Sequence, residues 1–157
     1  MFEVRVQQQA FDPEREQRVV RERVPGCGAV VSFVGLLRDW SQGQAVTAMT
    51  LEHYPGMTEK VLHQLLDQAR ARWTLGGACI LHRVGSLRPA DAIVLVVTAS
   101  VHRADAFRAC EFLIDALKTQ APFWKCELTP DGPRWVQARA RDRLAAERWT
   151  EPERTLA

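Results

Sequence analysis

Two short stretches of this chain concentrate side chains that bind anions or move protons. The first is Ser100-Val-His-Arg103, where an apolar run gives way to a helical pattern. A helix start offers unpaired N–H donors and the positive end of the helix dipole, which together favour phosphate. Ser100 reads as the N-cap, with His102 and Arg103 adding donors and charge. The plainer alternative is a cap followed by two solvated side chains, and spacing leaves the two evenly matched. The second stretch is Lys118-Thr-Gln-Ala-Pro-Phe-Trp-Lys125. A lysine closing a helix ordinarily complements the dipole. That accounts for Lys118 and says nothing about Lys125. Two lysines held together lower each other's pKa by like-charge repulsion. A neutral amine can then serve as a general base or a nucleophile.

Three further candidates are weaker. Arg38 ends the run Phe33-Val-Gly-Leu-Leu37, in which Gly35 signals a close backbone approach or a bulge. An arginine at a strand end is more often solvated than functional. Cys126 adjoins Lys125, whose charge would lower its thiol pKa and make it a candidate nucleophile. His53, His82 and His102 come from separate strands without H-x-x-x-H spacing or a paired carboxylate, so no metal site is expected.

The elements that must position these groups follow from periodicity. Phe2–Val6 alternates like a strand. Asp12-Pro13 caps a polar helix that runs to about Val24. Ala29–Leu37 is apolar and β-branched, a buried strand. Ala45–Tyr54 reads as its hairpin partner across the polar turn Ser41–Gln44. Met57 to Trp73 carries Met57, Val61, Leu62, Leu65, Leu66, Ala69 and Trp73 at helical spacing. Ala78–Val84 and Ala92–Val101 are strands joined by a turn around Arg88-Pro-Ala-Asp91. A second long helix spans about Arg103 to Thr119, with Phe107, Cys110, Ile114 and Leu117 inward. Phe123–Leu128 and Arg134–Gln137 pair around the Pro130–Pro133 turn. The charged tail from Arg141 reads as a frayed helix or disorder.

This mixed order favours an α+β fold with a largely antiparallel sheet. One domain over residues 1–140 and a charged tail over 141–157 suit a chain of 157 residues. Net charge is +2, too balanced for a nucleic-acid coat. No apolar stretch approaches the roughly 20 residues of a membrane span. The start of the chain lacks the apolar segment of a secretion signal. A cytoplasmic protein with four free thiols is expected.

Taken in order, several segments resemble the large-subunit (MoaE) family of molybdopterin synthases. They are Phe33-Val-Gly-x-x-Arg38, Leu51-Glu-His-Tyr-Pro-Gly-Met57, His82-Arg-Val-Gly85, His102-Arg103, Lys118-Thr-x-Ala-Pro-Phe-Trp-Lys125 and Trp135-Val-x-Ala-Arg139. Each is weak alone; their order and spacing over roughly residues 27 to 140 are specific. The resemblance implies an α/β hammerhead fold and a homodimer. A small ubiquitin-like subunit docks on each protomer, making a heterotetramer, and its thiocarboxylated Gly-Gly tail donates sulfur. The implied substrate is cyclic pyranopterin monophosphate, with no cofactor. Lys118 and Lys125 would be catalytic. Leu36, Leu37, Arg38, His102, Arg103, Cys126 and Glu127 would line the substrate site, and Arg139 would reach the neighbouring protomer's pocket. Sulfur arriving on a partner makes Cys126 doubtful as a catalyst. Two other readings stay open, a non-catalytic pterin- or phosphate-binding module and a thiol enzyme using Cys126.

Overall fold

The structure is a computed structural model that describes residues 1–137 and 140–150. The chain runs β1 (Phe2–Gln7), α1 (Pro13–Arg23), β2 (Ala29–Leu36), β3 (Trp40–Ser41), β4 (Gln44–Ala45), β5 (Ala48–His53) and α2 (Met57–Arg72). It continues β6 (Gly77–Arg83), β7 (Gly85–Leu87), β8 (Ala92–Ser100), α3 (Arg103–Gln120), β9 (Phe123–Thr129), β10 (Gly132–Val136) and α4 (Ala140–Glu147). One sheet has the order β1-β6-β8-β2 and a second β10-β9-β5-β7, with β3 and β4 forming a small hairpin. The β1–β6 pair is parallel; every other pair is antiparallel. This is the expected α+β class.

The first sheet is apolar on both faces because both are covered. Ala78 and Ile80 of β6 join Val94 and Val96 of β8 in packing against Leu62, Leu65 and Leu66 of α2 and Leu113 and Leu117 of α3. The alternate residues Cys79, Leu81, Leu95 and Val97 pack against Val20 and Val24 at the α1 side. The cap of α1 forms as the sequence implies. The Asp12 carboxylate accepts from Glu14 N–H at 3.0 Å and Arg15 N–H at 3.2 Å, with Pro13 in the first turn. At α2, Gly56 has φ +83, and its N–H donates to Glu59 at 2.7 Å.

Three sequence expectations are overturned. Ala45–Tyr54 is not the partner of Ala29–Leu37. β2 pairs with β8 from Ala29↔Ser100 to Leu36↔Ala92, and β5 lies in the other sheet between β7 and β9. The reversal at Ser41–Gln44 closes only two residues per arm. The chain has left that sheet before this reversal, since the β2–β8 ladder shifts register between Gly35 and Leu36 and ends at Leu36. Ser100 is not the cap of α3. Pairing with Ala29 keeps it in β8, and the cap falls on His102. Ser100 instead bridges, donating to Thr74 O at 2.7 Å and accepting from His102 N–H at 3.1 Å. Phe107 is not inward but 61% exposed, beyond the edge of the buried stripe that includes Cys110, Ile114 and Leu117.

The charged tail is partly structured. Residues 140–150 carry α4 and a docking contact. Trp149 packs edge-on against Trp73 and Phe112, and its Nε1–H donates to Asp115 at 2.9 Å.

Candidate functional site

The local sequence explains how Lys118 and Lys125 meet. Ala121 precedes Pro122, and a residue before proline is pushed out of the α region. Ala121 is extended (φ −74, ψ 132), so α3 stops just after Lys118 and the chain doubles back as β9. Alternation along β9 then turns Phe123, Lys125 and Glu127 toward one side. All three line a cavity of about 650 Å³, within the usual range for small-molecule sites. Lys118 lines it from the end of α3, and Arg141 and Asp142 from α4.

The opposite wall depends on Gly35. A Cβ there would meet Val94 Cγ1 at 2.7 Å, so the close approach inferred from sequence is real. The register shift beside it comes just before β2 ends at Leu36, and Leu36, Leu37 and Arg38 line the cavity wall. Hydrogen bonds of Leu37 with Asp91 and Ala90 backbone, at 2.9 and 2.8 Å, fix the exit.

The electrostatics weaken the hold of Lys125 on its proton. Lys125 has its pKa lowered from 10.5, first by burial and then by the charge of Lys118. Asp142 and Glu127 pull it back upward. Each carboxylate also faces another cation. Asp142 is 3.8 Å from Lys118, and buried Glu127 is 2.6 Å from Arg134, which also donates to Ser41 O at 3.1 Å.

The structure thus brings Leu36, Leu37, Arg38, Lys118, Lys125 and Glu127 to one cavity. Cys126 lies on the other face of β9, between Thr50 and Trp135 across the ladders, and does not line the cavity. His102 and Arg103 open α3, whereas Lys118 is at its far end, roughly 22 Å along the axis at 1.5 Å per residue. They do not line this cavity either. Arg139 lies outside the described residues. Sequence reasoning missed Asp142 and Arg141, which it assigned to a tail. It met His82 as a metal candidate and within the resemblance segment His82-Arg-Val-Gly85, and gave it no role in the site. The legible signal was a histidine in the row Ala78, Ile80, His82, where alternation calls for an apolar residue. Among the described residues no group of three His, Cys, Asp or Glu side chains could hold a metal ion.

Comparison with known proteins fits this arrangement. The family model described as MoaE protein matches residues 6–120. A molybdopterin synthase catalytic subunit from Pseudomonas aeruginosa is 53% identical over 148 residues, 94% of this chain and 99% of that one. The solved molybdopterin biosynthesis MoaE protein from Burkholderia ambifaria is 50% identical, with a TM-score of 0.82 over 96% of this chain and 99% of that one. The solved molybdopterin synthase from Staphylococcus aureus is 33% identical, with a TM-score of 0.77 over 85% and 96% of the two chains.

Proposed function

This chain belongs to the MoaE family, and from that premise we propose that it is the catalytic subunit of a molybdopterin synthase. It is a sulfurtransferase that converts cyclic pyranopterin monophosphate to the dithiolene molybdopterin. Sulfur arrives as the thiocarboxylate at the C-terminus of a small ubiquitin-like partner, whose Gly-Gly tail enters the cavity. One observation carries this reading. The cavity presents two lysines and two arginines but, among the described residues, no cysteine, so a sulfur used there must be brought in. As the thiocarboxylate attacks, Lys118 and Lys125 stabilise the negative charge that develops and move protons. Lys125, held toward its neutral form, is suited to accept one.

The assembly is a homodimer with one small subunit on each protomer. His102 and Arg103 cannot serve the same chain's lysine cavity from the far end of α3. A second protomer gives them a pocket to complete, as it does for Arg139. No helix among the described residues is long and apolar enough to cross a membrane. A cytoplasmic setting suits the four free cysteines.

The test is reconstitution. The purified chain, the thiocarboxylated small subunit and the cyclic precursor are mixed, and dithiolene formation is followed. Product formation supports the reading. Precursor binding without product would favour a non-catalytic pterin-binding module.

A further inference from the structure

The floor of the cavity holds a polar group that the proposed chemistry does not use. β6 sends Ala78, Ile80 and His82 to one side, and the first two are sealed in the apolar cluster under α2 and α3. His82 takes the third place in that row and is 1% exposed. A polar group so deep is destabilising unless it is hydrogen-bonded. Only half of this one is committed. Nδ1 lies 2.8 Å from the Arg83 carbonyl oxygen. A carbonyl can only accept, so Nδ1 carries the hydrogen and Nε2 is left as a bare lone pair.

Nε2 has no hydrogen-bond partner among the described residues. Nor is it one of the partnerless polar atoms shut away from solvent, which are Arg5 Nε, Ser41 Oγ, His53 Nδ1 and Arg134 Nε. His82 lines the cavity, so the tip of its ring opens there. The ring is also held in place. Phe123 stacks on it with centroids 3.8 Å apart and planes 15° from parallel. Burial pushes its pKa down to about 3, so it remains an acceptor at neutral pH.

The geometry points to His82 Nε2 as a specificity-determining acceptor that takes a hydrogen bond from a ring or exocyclic N–H of the bound pterin. This rests on the sulfur-transfer reading above. The other cavity groups make such an acceptor useful. Arg38, Lys118 and Lys125 supply positive charge and donors, while the carboxylates of Glu127 and Asp142 each face a cation. A reduced pterin carries N–H donors as well as acceptors, and His82 offers a neutral, rigid partner for one of them.

The direct test uses the wild-type chain labelled with ¹⁵N in its histidine rings. The cyclic precursor is titrated in without partner, with saturation followed by calorimetry. The unprotonated Nε2 resonance of His82, assigned by its loss in His82→Gln, should move upfield. A resonance unmoved at saturation overturns the proposal. A kinetic test complements it. Asparagine can keep the bond to Arg83 O but has nothing at the Nε2 position, whereas glutamine can extend its amide there. His82→Asn should raise KM for the precursor about 10- to 100-fold, the range for a buried group left unpaired, with kcat within a few-fold. His82→Gln should stay near wild type. An unchanged KM in His82→Asn, or equal losses in both variants, overturns the assignment. If the wild type binds precursor yet makes no product from the thiocarboxylated partner, the sulfur-transfer reading fails, and the Nε2 shift still decides the role of His82. Failure of the wild type to bind precursor overturns both.

Discussion

An ammonium group taken out of water loses hydration that a cavity wall does not restore, and a second ammonium nearby makes matters worse. Lys125 is in that position. Because its folded pKa lies below 10.5, the unfolded chain binds the proton more readily in the window between the two values. Stability therefore rises with pH through that window, and the penalty is fully present only below the folded pKa. Lys125→Met should then raise Tm at pH 7 by about 2–4 °C, the shift expected for a gain of about 1 kcal/mol in a chain of this size. The gain should shrink toward pH 10.5, and activity should be lost. Calorimetric scans across pH check this, and a Tm that falls at pH 7 would show that Lys125 is held by favourable contacts instead. Lys118→Ala should reduce turnover by at least about 10²–10³-fold, as for the loss of one electrostatic donor. It should leave the fold intact, since a helix-terminal lysine contributes only about 0.3–1 kcal/mol through the dipole. Near-normal turnover by a folded Lys118→Ala protein would remove Lys118 from the mechanism. Cys126→Ala should keep most activity, because its side chain is on the far face of β9. Complete loss of turnover with unchanged melting would revive the thiol enzyme.

At the scale of elements, what sequence could reveal depended on how local the cause was. The cap at Asp12 and the close approach at Gly35 are written in one to three residues, and both are where expected; α3 ends at Gln120, one residue past the Thr119 expected, by the equally local effect of Pro122 on Ala121. Strand pairing is not local. Ala48–His53 alternates equally well beside β2 or between β7 and β9, and nothing in its own residues says which edge will be free. The same limit hid the site's outer wall. Residues after 140 look like a solvated tail because their partners, Trp73, Phe112 and Asp115, lie far away in sequence. Yet this segment sets Asp142 beside Lys118. Trp149→Ala should lower stability by about 1–3 kcal/mol, below the 3–5 typical of a fully buried tryptophan because Trp149 is only half-buried. Denaturant titration measures it. A change below about 0.5 kcal/mol would mean that the docking contact contributes little and that α4 is held by other means.

At the scale of the whole molecule, the length of α3 is the decisive quantity. It places Arg103 and Lys118 at opposite ends of one rigid rod, roughly 22 Å apart, and only the lysine end opens into the cavity. If both ends act on one phosphate-bearing substrate, they must come from different protomers. That arrangement also eases a repulsion, because Arg38, Lys118 and Lys125 already concentrate positive charge in each cavity. Delivering further arginines across an interface lets the energy of association offset the crowding. The consequence can be tested by mixing two inactive dimers, Lys118→Ala and Arg103→Ala, and allowing subunits to exchange. In a mixed dimer with shared sites, one pocket combines both defects and the other has neither. Activity should reappear, approaching one working site per mixed dimer. Arg139→Ala in place of Arg103→Ala should behave alike if that arginine also crosses. Were each chain to use only its own residues, every pocket would carry one defect and mixing would restore nothing. With exchange confirmed by native mass spectrometry, that silence would rule out the shared site and would require Arg103 to act away from the lysine cavity.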